Sequence, residues 1–122
     1  MTIADAINRA ERTKPGETET AEKLLQLAAL EGRIRAEVLV HYEGELPEMP
    51  DFSANDMSQE LQASGPYEGL YVHYLLMQAA QLLEEYETYE NERSLFESLY
   101  SGWRNEWNRT HVHKQVRKVY KQ

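Results

Sequence analysis

Residues 66–111 read PYEGLYVHYLLMQAAQLLEEYETYENERSLFESLYSGWRNEWNRTH, the longest run of regularly spaced apolar and aromatic residues in the chain. Tyr67, Leu70, Tyr71, Tyr74, Leu75, Leu82, Tyr86 and Tyr89 recur in steps of three and four, as do Phe96, Leu99, Trp103 and Trp107. That is the period of an amphipathic helix, not of a strand. Pro66 suits a first helical turn, where its missing N–H would go unpaired anyway, with Ser64 or Gly65 in capping position. Asn91 to Ser94 interrupt the stripe, so the spacing predicts two antiparallel helices, near 66–90 and 93–111, that break there. Leu75, Leu82, Phe96, Leu99 and Trp103 are expected in a core shared with Leu27 and Ile34, and Tyr71 and Trp107 complete the aromatic face.

Upstream, Thr2-Ile3-Ala4-Asp5 is a near capping box, and Ile3, Ala6, Ile7 and Ala10 give one narrow stripe, predicting a helix over about 2–12. Lys14-Pro15-Gly16 marks a turn. A second helix follows over about 19–41, with Thr18 or Thr20 as its cap. Its apolar positions, Leu24, Leu25, Leu27, Ala28, Leu30, Ile34 and Val38, cover more than one face, which suggests burial between neighbours. Gly32 inside it costs about 1 kcal/mol relative to Ala, so close backbone packing is expected there. Between Glu43 and Ser64 the period vanishes. Pro47, Pro50 and a run of carboxylates predict a long mobile acidic loop, with a short helical turn around Met57 to Leu61.

The chain has 122 residues, no cysteine and a net charge of −8. One domain, 1–111, followed by a basic tail, 112–122, accounts for it: an all-α bundle of about four helices with a long C-terminal helical hairpin. Disulfides and sulfur-ligated zinc are excluded. No apolar run approaches the roughly 20 residues of a membrane span, and the N-terminus lacks a signal peptide's apolar centre, so a cytosolic protein is expected. The charge is unevenly divided. Ala36 to Glu92 holds thirteen acidic residues and no Lys or Arg, whereas Arg104 to Gln122 holds six basic residues against Glu106 alone.

Catalytic signals are thin. There is no phosphate-cradling glycine loop, and the His111–His113 pair has no cysteine or suitably spaced carboxylate beside it. Glu84, Glu85, Glu87 and Glu90 read as a solvated face, and His73 as a surface or interface residue. Neither an enzyme nor a cofactor is expected. A strongly acidic centre would repel a phosphate backbone, which argues against sequence-specific nucleic-acid binding and permits an acidic wall that faces DNA without gripping it. The basic tail can meet an acidic body in the same chain or in a neighbour.

Three blocks resemble a known family: Leu30-Glu31-Gly32-Arg33-Ile34-Arg35-Ala36-Glu37-Val38; Pro66-Tyr67 with Leu70-Tyr71, Tyr74-Leu75 and Gln78; and Tyr86, Tyr89, Asn91, Phe96, Tyr100, Trp103 and Trp107 to Asn108-Arg109-Thr110-His111. Together they span about two thirds of the chain. The family is the head-to-tail connector, or head completion, proteins of tailed phages and prophages of Firmicutes. Its pattern tends to carry Gly, Asn and Asn where this chain has Glu84, Glu90 and Glu97, departures that bear on hairpin geometry.

The resemblance implies a non-catalytic virion protein, present in the host cytoplasm during assembly. It would form a ring, commonly twelvefold, on the portal protein, continue the DNA channel and offer a surface to a tail-side adaptor, with no membrane involved. Under that reading Glu45, Glu48 and Asp51 border the channel. Lys114, Arg117, Lys118, Tyr120 and Lys121 contact the portal or a neighbouring subunit, and Tyr71, Leu75, Phe96, Trp103 and Trp107 serve the hairpin core or interface. The alternative is a non-viral or prophage helical adaptor or regulator acting as a dimer.

Overall fold

The computed structural model describes residues 1–114. Four α-helices make up the fold: α1 (Ile3–Thr13), α2 (Thr20–Glu37), α3 (Leu70–Leu82) and α4 (Tyr86–Thr110), and no strand longer than an isolated bridge occurs among the described residues. The capping box at α1 forms. The Asp5 amide donates to Thr2 Oγ1 at 3.1 Å and the Thr2 amide to Asp5 Oδ2 at 3.1 Å. The Thr2 amide, and after it the Thr2 hydroxyl, hold the Asp5 carboxyl below the ordinary carboxylate range. At α2 the expectation of a threonine cap is corrected. Glu19 occupies the cap with no side-chain bond, and Thr20 is the first helical residue.

α2 is also shorter and narrower than its sequence suggested. It ends at Glu37, and Leu39–His41 tighten into a 3₁₀ turn. Leu24, Leu27, Leu30, Glu31 and Ile34 point inward, while Leu25 is 67% exposed, so a single face is buried. The helix between neighbours is α3, which packs on α1, α2 and α4. Among the described residues Gly32 meets no neighbour within 4 Å of where a Cβ would stand, so no close backbone approach there explains it.

The antiparallel hairpin is present, but its break lies at Leu83–Glu85 and not at Asn91–Ser94, which sit inside α4. α3 closes with the two bonds of a Schellman motif, Glu85 N–H to the Ala80 carbonyl at 2.9 Å and Glu84 N–H to the Gln81 carbonyl at 3.2 Å. Glu84 takes the left-handed position at φ 58°, where glycine is most at ease. Ending α3 there turns Leu82 outward. It is 65% exposed and leaves the expected core, whereas Leu75, Phe96, Trp103, Leu27 and Ile34 are buried and Leu99 is partly so. At its start, Pro66 does open a helical turn, a 3₁₀ turn over Gly65–Tyr67 that precedes α3. Gly102 makes room for it, because a Cβ there would stand 2.6 Å from the Tyr67 ring.

The acidic excursion is irregular as expected, but its second half is fastened to the body. Ile3 and Ala4 donate to the carbonyls of Gln59 and Met57 at 3.1 and 2.9 Å, and Leu61 donates to the Met1 carbonyl at 3.0 Å. Leu61 and Ala63 are buried. The expected helical turn at Met57–Leu61 does not form, because this segment runs extended beside the start of α1, with Thr2 and Glu60 bridged.

Candidate functional site: aromatic end, acidic loop and hairpin tip

A ladder of rings runs along α4 at helical spacing. Phe96 and Tyr100 lie 5.7 Å apart between centroids, Tyr100 and Trp103 6.2 Å, and Trp103 and Trp107 5.5 Å; His111 then stacks on Trp107 at 3.6 Å. Such offset and edge contacts each add a modest attraction to area burial. On the α2 side, the Arg33 guanidinium sits 4.9 Å from the Tyr100 ring centre and 3.0 Å from Glu37 Oε1, and the Tyr100 hydroxyl donates to Glu37 Oε2 at 2.9 Å. Burial raises the Glu37 carboxyl, but these Tyr100 and Arg33 hydrogen bonds outweigh it and hold the group below its ordinary range. Tyr100 is raised, by burial first and then by Glu37.

Tyr71, Leu75, Phe96 and Trp103, offered by the sequence as core or interface, are core residues here. Tyr71 is more than filler. Its hydroxyl accepts from the Ala63 amide at 2.8 Å and donates to Glu31, whose other oxygen accepts from the Gln62 amide at 3.0 Å. Glu31 is fully buried, and burial raises its pKa against the lowering pull of those two bonds. The result clamps the end of the acidic loop to α2 and α3. A carboxylate so occupied is a fastening, not a free acid or base.

Trp107 is half-buried and, with His111, separates two grooves. One, of about 440 Å³, is lined by Pro66, Tyr67, Trp103 and Thr110 among others; the second, of about 310 Å³, by Leu39, Glu43, Glu45, Pro47 and Lys114. The chain returns to this end after α4. The Glu43 amide donates to the Val112 carbonyl at 2.7 Å and the Lys114 amide to the His41 carbonyl at 2.8 Å, bridging Tyr42 and His113. The body therefore extends through Lys114, three residues beyond the expected boundary. Tyr42 is buried among Trp107, His111 and His113, and its hydroxyl donates to Asn108 Oδ1 at 2.8 Å.

Of the loop carboxylates, Glu48 and Asp51 share an open depression with Met49, Pro50, Gln59 and Glu60, whereas Glu45 stands apart in the second groove, near Lys114. Arg117, Lys118, Tyr120 and Lys121 lie outside the described residues. His73 is not a free surface histidine. Its Nδ1 lies 2.6 Å from Glu92 Oε2 and ties α3 to α4. Among the described residues, no group of three or more His, Asp or Glu could hold a metal ion, and no helix is long and apolar enough to cross a membrane.

The Glu31–Tyr71 clamp and the exposed hairpin tip were not anticipated from the sequence. For the clamp a signal existed, since Glu31 falls on the stripe of Leu24, Leu27, Ile34 and Val38. Comparison with known proteins finds no matching family model, no similar curated protein and no similar solved structure.

Proposed function

We propose that this chain is a structural assembly protein, a head-to-tail connector that docks on a portal, continues the DNA channel and presents a surface for tail attachment. One observation carries the reading: residues from the three blocks of resemblance touch one another in the fold. Glu31 of the first bonds Tyr71 of the second, Arg33 of the first lies over Phe96 and Tyr100 of the third, and Tyr74 of the second packs on Phe96 at 5.3 Å between centroids. A further support is Glu84, whose backbone adopts the geometry that the family's glycine would favour.

The work of such a protein is contact, and its residues are suited to that. A rigid aromatic hairpin fixes the relative positions of its surfaces. The carboxylates Glu48 and Asp51, exposed on the loop, give a wall that repels a phosphate backbone, so DNA can pass without adhering. The basic segment beyond the bridge, 115–122, would bind an acidic surface of the portal or of an adjacent subunit, with Val116, Val119 and Tyr120 adding apolar contact.

The test is capture of the purified chain by portal-bearing, tailless heads. Binding at physiological salt is expected, and replacing Glu45, Glu48 and Asp51 with Lys should leave that binding intact while making the assembled ring retain DNA. Failure to bind heads overturns the connector reading; unchanged DNA retention overturns only the channel position.

A further inference from the structure

The turn between α3 and α4 carries an apolar surface that nothing among the described residues covers. Leu82, Leu83 and Tyr86 are 65%, 43% and 73% exposed within five consecutive positions. Around them Glu84, Glu87 and Glu90 are exposed and take part in no ion pair among the described residues, while Glu85 is engaged by Lys14 at 3.3 Å. Large apolar side chains standing in water beside unpaired negative charge suit a partner that is apolar and basic.

Residues 115–122, QVRKVYKQ, have that composition: Val116, Val119 and Tyr120 interleaved with Arg117, Lys118 and Lys121. Their starting point keeps all but their last residues from the tip of their own molecule, so the segment as a whole cannot cover it. Lys114 is bonded to His41, beside Tyr42, which packs on Trp107 and His111 at the far end of α4. From Trp107 back to Tyr86 the helix rises about 31 Å. Eight residues, even fully extended, span at most about 26–29 Å. We propose that the Leu82–Leu83–Tyr86 tip of one molecule receives the 115–122 segment of a second copy. The contact joins unlike surfaces, so each bound pair keeps one free tip and one free segment. Repetition then gives a closed ring or an open filament. This inference holds whatever the assembly serves, and does not rest on the connector reading.

Two variants of the full chain test it. One carries Leu82→Ser, Leu83→Ser and Tyr86→Ser, all at exposed positions; the other carries Arg117→Glu, Lys118→Glu and Lys121→Glu. By sedimentation velocity the unmodified chain should associate with rising concentration, and about tenfold more weakly at high than at low ionic strength. Each variant alone should remain monomeric with unchanged helical circular dichroism. Mixed in equal amounts they should form dimers and nothing larger, since only one productive pair of surfaces remains. A photo-crosslinker at position 86, in a mixture of isotopically light and heavy chains, should join to residues 115–122 of the other chain.

The proposal is overturned by an unmodified chain that stays monomeric at millimolar concentration and low ionic strength. Association that survives tail charge reversal, as for two tips meeting symmetrically, also overturns it, as does a variant mixture that stays monomeric or a crosslink within one chain. Head capture in any of those cases would leave the connector reading standing, and self-association without head capture would do the reverse.

Discussion

Glu84 occupies a backbone region that costs a side chain with a Cβ about 1–2 kcal/mol relative to the right-handed helix, and it meets that cost in open solvent. Glu84→Gly should therefore stabilise the chain by about 1 kcal/mol, read as a higher urea midpoint with an unchanged slope. A lower midpoint would show that the carboxylate does something at that turn that its exposure does not reveal. Glu31 gives the opposite case, a carboxylate kept inside. Because burial raises its folded pKa, its contribution to stability is fully present below the ordinary carboxylate range and is lost as pH rises through the raised value. The stability of the native chain relative to Glu31→Gln should accordingly fall from acid toward neutral pH. A difference that is flat or rises with pH would contradict this. Neither residue is conspicuous in the sequence. Glu84 belongs to a run of glutamates that reads as a solvated face, and Glu31 is legible only by its place on an otherwise apolar stripe, where a carboxylate demands donors that lie 31 and 40 positions away.

Elements were more legible than their ends. The aromatic stripe through Phe96, Tyr100, Trp103 and Trp107 specifies α4 because a 3.6-residue period puts all four on one face. The break before it is not marked in the sequence for a physical reason: Leu83-Glu84-Glu85 contains no residue that prefers a turn, and only backbone bonds, to Ala79, Ala80 and Gln81, close α3. Asn91 and Ser94 are good caps by type, but they sit in mid-helix with their side chains in water. Gly32 is a comparable case, since a glycine inside a helix suggests close approach and none occurs among the described residues. Gly32→Ala should gain about 0.5–1 kcal/mol through lower backbone entropy in the unfolded chain and better helix propensity, visible as a higher thermal midpoint. Destabilisation would mean that a partner, absent from the isolated chain, approaches α2 at that point.

At the level of the whole molecule, the chain's charge division and its helical class could be read from composition and period, whereas the fastening of its irregular parts could not. The pairing of residues 57–63 with the first residues and with Tyr71, and of 112–114 with 41–43, uses backbone groups that carry no sequence signature. This fixes where a truncation must be made. A chain ending at Lys114 should keep the thermal midpoint of the full protein. One ending at His111 loses the two backbone bonds to Glu43 and His41 and the packing of His113 on Tyr42, and should be about 1–2 kcal/mol less stable. Equal midpoints for the two would show that the bridge contributes nothing. If the chain is a connector, both should bind portal-bearing heads far less than the full-length protein. The length of α4 has one more consequence. Its 25 residues form an unbroken rod of about 37 Å, with the exposed apolar turn at one end and the departure point of the basic segment at the other. Bonded neighbours along any assembly built through those ends would be spaced by the rod itself. α4 would then act as a ruler: the repeat distance would be insensitive to the loops and would change only when the helix is lengthened or shortened.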